Sequence, residues 1–153
     1  MQQMNWVRTL LGGVAAGLVI NVSESVLNNF VLKADWAAAM QALGKSSQVT
    51  GLQMAGFAIW GFLLGISAVW LYAAISPRYG QGWRVAGCAG LATWWLVYAL
   101  SSAGALIFDI FPPRLMLISV AWGLPEIVLA TMAGAWFYRE KAEAPPQPVA
   151  KAA

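Results

Sequence analysis

Between Lys45 and Arg78 the chain runs for 32 residues (46–77) without a charged side chain, and between Arg84 and Asp109 for another 24 (85–108). An α-helix rises about 1.5 Å per residue, so either stretch is long enough to cross the roughly 30 Å hydrocarbon core of a bilayer. Two more stretches, Arg8 to Lys33 and Arg114 to Arg139, are each broken by a single acid, Glu24 and Glu126. Together they predict four transmembrane helices, and four exhaust the 153 residues. The composition agrees, being 60% hydrophobic and only 10% charged with a mean hydropathy of +0.65, outside the range of an ordinary soluble domain. The expected fold is therefore all-α, a polytopic four-helix membrane bundle with the lipid bilayer as its first partner.

The same counts remove several classes of chemistry. A net charge of +3 spread over loops offers no basic face for nucleic acid. Cys88 is the only cysteine and histidine is absent, which excludes an intrachain disulfide, a histidine-ligated haem and the usual zinc sites. No metal or other cofactor is expected. What is left is the chemistry of carboxyls, amides, hydroxyls and aromatic rings.

Hydropathy and breaker residues place the helices at 6–32, 51–76, 84–108 and 115–138, within one domain covering residues 1–140. Pro77 and Gly80 mark the stop after the second, and Phe111-Pro112-Pro113 the turn before the fourth. In ADWAAAMQALGKS, Trp36, Met40 and Leu43 recur at helical spacing, which fits a short interfacial helix at 34–44 as well as it fits an ordered loop. Residues 141–153 hold three of the seven prolines and no periodicity, and are expected to be a disordered tail. The N-terminus has Arg8, an apolar run and the small residues Ala37 to Ala39, but the run is too long for a signal peptide and carries Glu24, so it reads as an uncleaved helix. Arg8, Arg78, Arg84, Arg139, Lys141 and Lys151 fall on one side, against Lys33, Lys45 and Arg114 on the other, which puts both termini in the cytoplasm. AAGL and AVWLY in the first half echo CAGL and GAWFY in the second, as two parallel hairpins related by duplication would. Chance in so restricted an alphabet explains the echo equally well.

Two helix faces concentrate the unusual residues. At 100° per residue, with Gly13 at zero, Gly17, Asn21, Glu24 and Asn28 fall at about 40°, 80°, 20° and 60°, one face that is glycine-lined first and polar afterwards. Ser23 and Asn29 fall off it. On the fourth helix Ser119, Trp122, Gly123, Ala130 and Ala133 share a face with Glu126, and Gly61 and Gly65 form a second GxxxG pair on the second helix. The simplest assembly turns these small-residue faces and both glutamates inward.

An ionised, unpaired side chain at mid-membrane costs about 2.5 to 3.5 kcal/mol on insertion scales, and every Lys and Arg lies at a helix end. Glu126, at the middle of its helix and beside Pro125, is therefore expected as the neutral acid, whereas Glu24 has Asn21 and Asn28 a turn away on either side. Such carboxyls either line a pathway that exchanges protons or binds a cation, or serve as hydrogen-bonding glue between helices. Trp60, Trp94, Trp95 and Trp122 lie within the spans, where they could line a ligand site or simply pack.

The four short spans, the glutamate in the first and the aromatic interior resemble, in outline, the small multidrug-resistance transporters, which implies a dimer exchanging protons for aromatic cations at Glu24. The chain departs from that pattern in carrying Glu24 late in its helix, a second Glu126, and a long segment between helices 1 and 2. NW at 5–6, LKADWAAAMQALGKS at 32–46 and AGAW at 133–136 look like small uncharacterised four-helix bacterial integral membrane proteins, which implies a multi-pass protein of the bacterial inner (plasma) membrane. Two functions follow as expectations. One is proton-linked transport or binding of a small ligand, with Glu24, Glu126, Asn21, Asn28 and Trp122 as the site. The other is a structural or accessory subunit, in which Gly13, Gly17, Gly61, Gly65, Gly123 and Ala130 pack helices within a homo-oligomer or against a membrane partner protein. No nucleophile–base pair or metal-ligand set marks an enzyme.

Overall fold

The computed structural model describes residues 4–138; the expected tail at 141–153 and the cations counted beyond residue 138 lie outside it. Five helices make up the described part, and no strand occurs among those residues. Helix α1 (Trp6–Val31), α3 (Gly51–Tyr79), α4 (Trp83–Ile107) and α5 (Pro113–Phe137) are each long and apolar enough to span a membrane. The short α2 (Lys33–Ala42) follows α1 after a break at Leu32.

Local chemistry sets the boundaries. Asn5 caps α1, its side chain accepting from the Arg8 N–H, and Thr50 with Gln53 forms a capping box at the start of α3. The end of α3 differs from the sequence expectation, since the helix passes through Pro77 to Tyr79 and stops where Gly80 takes φ +84°, a value glycine adopts without strain. Helix α5 begins two residues earlier than expected, because Pro113 occupies its first turn, where the missing N–H is no loss. Two spans are also not purely α-helical. Helix α1 closes with a π turn over Leu27–Val31, and α4 is interrupted by another over Trp95–Ala99.

Helix α1 sits between α3 and α5, and α5 packs in turn against α4. Missing side chains make the first seam close: a Cβ on Gly65 would lie 2.7 Å from Gly17 Cα, and one on Gly13 would lie 2.6 Å from Ile66 Cα. Gly12 and Gly134 bring α1 and α5 together in the same way, a Cβ on Gly12 meeting the Gly134 carbonyl oxygen at 2.5 Å. Between these seams lies a core of Ala16, Ala68, Val69, Ala86, Ala89, Ile127 and Ala130. With lipid tails as solvent, such backbone proximity stabilises through packing and not through the hydrophobic effect.

A second cluster, Leu27, Leu32, Ala39, Leu115 and Met116, fastens α2 across the end of the bundle. Trp36 and Phe111 add an edge-to-face contact at 5.5 Å, and Arg114 pairs with Asp35 at 3.4 Å. Towards this α2 end the helices separate. No residue of α4 beyond Trp94 is buried, and over Gly51–Trp60 of α3 only Ala58 is partly covered.

Candidate functional site

The two intramembrane acids meet through a third residue. Glu24 reaches inward from α1, Glu126 from α5, and Tyr98 from the π turn of α4. The Tyr98 hydroxyl oxygen is 2.7 Å from Glu126 Oε1 and 3.1 Å from Glu24 Oε1. A phenol carries one proton and can donate it to one acceptor. Both contacts are hydrogen bonds together only when one carboxyl is a carboxylic acid that donates to the Tyr98 oxygen. The same two distances place the Oε1 atoms no more than about 5.8 Å apart. Two full negative charges at that separation repel by at least about 3 kcal/mol at an effective dielectric constant of about 20. The geometry therefore sets two carboxyls where a proton or a cation between them would relieve their repulsion.

Each member is held by its helix. Gly123 makes the place for the Tyr98 ring, since a Cβ there would lie 2.5 Å from Tyr98 Cε1 and 2.9 Å from Cγ. The π turn supplies Tyr98 itself: the Leu100 N–H bonds to the Trp95 carbonyl, five residues back, which widens α4 where the phenol turns towards α1 and α5. Glu24 Oε2 accepts from Asn28 Nδ2 at 2.7 Å, and Asn28 Oδ1 accepts from Trp36 Nε1 at 2.7 Å. A continuous chain of hydrogen bonds thus runs from α2, at the bundle end, to Glu126 in the interior. Glu126 is only 4% exposed, and its Oε2 is buried without a hydrogen-bond partner among the described residues. An unpaired acceptor at that burial is costly, so a proton or a hydrogen-bond donor that reaches it is stabilised.

The remaining expected residues divide. Trp122 stands beside the cluster, its Nε1 donating to Ser23 Oγ at 2.9 Å, so Ser23 faces α5 although projection puts it off the polar face. Asn21 does not join the carboxyls: its amide donates to the Gly17 carbonyl at 2.8 Å and the Ala58 carbonyl at 3.2 Å, in the α1–α3 seam against Gly61. Asn29 turns away and bonds only the Ser25 carbonyl, at 2.8 Å. Gly13, Gly17, Gly61 and Gly65 lie in the α1–α3 seam, Ala130 in the core and Gly123 under the phenol ring. Trp60 and Trp95 are 65% and 54% exposed on the outside of the bundle, and Trp94 donates to the Val120 carbonyl at 2.9 Å, a turn before Pro125. These three do not wall a pocket at the carboxyls.

Tyr98 is the residue that sequence reasoning missed. Its signal was present, because Tyr72, Tyr79 and Tyr138 lie near helix ends and Tyr98 alone falls mid-span. Comparison of the chain with protein-family models, curated proteins and solved structures returns no match.

Proposed function

We propose that this membrane protein binds and exchanges protons at Glu24, Tyr98 and Glu126, coupling them to the binding or transport of a small cationic ligand. The observation that carries the reading is the Tyr98 hydroxyl held between two carboxyls from two other helices. A proton or a cation satisfies the same electrostatic need there, so occupancy by one releases the other. Tyr98 would pass its hydrogen bond from one carboxyl to the other as the proton moves. The orphaned Glu126 Oε2 would be the first group to gain a partner on ligand entry. The imbalance of Lys and Arg across the spans supports cytoplasmic termini.

The test is proton release from purified protein in weakly buffered detergent solution on adding tetraphenylphosphonium, an aromatic cation. Wild-type protein should release protons, Glu126→Gln should abolish the release, and Glu24→Gln should reduce it. Unchanged release in both variants would eliminate this reading.

A second reading, a structural or accessory subunit, draws on a different observation: the same hydrogen bonds tie α1, α2, α4 and α5 together around a carboxyl that is 4% exposed. Under that reading the glutamine variants lose thermal stability or a partner complex, and ligand-linked proton release is absent from the wild type as well.

A further inference from the structure

Helix α2 is held over the carboxyl cluster by few contacts. Of its ten residues only Ala39 is buried, Trp36 rests edge-on against Phe111, and Asp35 meets an arginine that is 73% exposed. Both of its ends are jointed. It starts at a break in helical geometry at Leu32 (φ −104°, ψ 6°) and gives way at Gly44 (φ +67°), beyond which residues 45–50 run exposed and non-helical to the cap of α3. Six extended residues reach about 20 Å, enough slack for α2 to lift while α3 stays in place.

Beneath α2 the buried side chains Leu27, Leu32, Leu115 and Met116 close the end of the bundle. Glu24 lies about 8 Å beyond the midpoint of α1, so about 7 Å separates it from headgroup level at this end. On the flank the separated α3 and α4 meet acyl chains, which offer no water to exchange protons with. Asn28 and the Trp36 indole thread the closing layer, and the direction of their hydrogen bonds is fixed. An indole N–H only donates, so Asn28 turns its oxygen to Trp36 (2.7 Å) and its amide nitrogen to the Glu24 carbonyl (2.8 Å) and Oε2 (2.7 Å). Neither an indole nor an amide N–H gives up its proton at neutral pH, so this chain of hydrogen bonds is not a proton wire. It caps the Glu24 oxygen on the α2 side.

We propose that α2 is a lid on the proton site, latched by Trp36 on Asn28, and that Glu24 meets water from this end when the latch opens. With the indole gone, the Asn28 amide is free to turn over and present its oxygen to Oε2, which can then take up or give up a proton. The other ionisable groups around Glu24 are Tyr98 from α4 and Glu126 from α5, with Lys33 and the Asp35–Arg114 pair at the lid; residues 51–71 of α3 supply none. The proposal rests on the proton-exchange reading and deepens it by naming the end at which the site opens.

In a Cys88→Ser background, Asp35→Cys and Arg114→Cys joined by a short bis-methanethiosulfonate hold the lid shut until a reductant cleaves the link. A water-soluble carbodiimide then probes the Glu24 carboxyl in lipid nanodiscs, its modification read by peptide mass spectrometry with the exposed Asp109 as internal control. Locking should slow modification of Glu24 about tenfold or more, and cleavage should restore it. Trp36→Phe, without the crosslink, should react about fivefold faster than the wild type, the factor given by one net hydrogen bond of about 1 kcal/mol. Equal rates in the locked and cleaved protein, no reaction at Glu24 in either, or a Trp36→Phe rate equal to the wild type overturns the proposal. The readout needs no ligand. A lid that gates Glu24 in a protein releasing no protons to tetraphenylphosphonium would remove the proton-coupling reading alone, and unrestricted access with normal release would remove the lid alone.

Discussion

Gly123→Ala probes the placement of Tyr98 through steric contact alone. The new methyl carbon would lie 2.5 Å from Tyr98 Cε1 and 2.9 Å from Cγ, where carbon atoms normally rest about 3.5 to 4 Å apart. The ring must retreat by about 1 Å, which takes the hydroxyl out of hydrogen-bond range of at least one carboxyl. Overpacking costs about 1 to 3 kcal/mol, and an unmade hydrogen bond to a buried carboxyl about 1 to 3 kcal/mol more. The expected loss is therefore about 2 to 6 kcal/mol, read as a lower midpoint in denaturant titration of the protein in mild micelles. A double-mutant cycle isolates the cause, because in a Tyr98→Leu background the ring is gone and the alanine should cost less than about 1 kcal/mol. An equal cost in both backgrounds would refute the view that Gly123 exists to seat the phenol.

Other perturbations separate the seams from the cluster. Gly65→Leu would drive a side chain into Gly13 and Gly17 and should prevent the α1–α3 contact, whereas Gly56→Ala, with nothing within 4 Å, should be neutral in the same unfolding assay. Trp36→Phe keeps the ring beside Phe111 but removes the N–H donated to Asn28; hydrogen exchange should show α2 opening more readily, by about 1 kcal/mol. Asp35→Asn breaks an ion pair whose arginine is 73% exposed, and should change stability by less than about 1 kcal/mol.

The spans were legible because membrane helices leave a coarse record: an uncharged run of sufficient length has few other uses. The inward turn of Glu24 and Glu126 was legible from the small residues that share their faces. What a single projection could not resolve is that α1 has neighbours on two sides. Asn21 at one flank bonds α3, and Ser23 at the other meets α5, so the apparent single polar face serves two interfaces. The π turns left no trace in hydropathy, since a bond to the fifth residue back instead of the fourth changes register without changing composition. That register shift is what makes Tyr98 hard to place from spacing, although a lone mid-span tyrosine was visible. Trp60 and Trp95 show the opposite error, in which aromatic residues within a span are read as interior when lipid receives them equally well.

The proposed proton exchange requires a proton shared among Glu24, Tyr98 and Glu126. Infrared difference spectroscopy resolves the carbonyl stretch of a carboxylic acid from that of a carboxylate. Wild-type protein should show an acid band that Glu126→Gln or Glu24→Gln removes and that Tyr98→Phe shifts by taking away its hydrogen-bond partner. A wild-type spectrum without that band, or a band that neither glutamine nor phenylalanine alters, would contradict it.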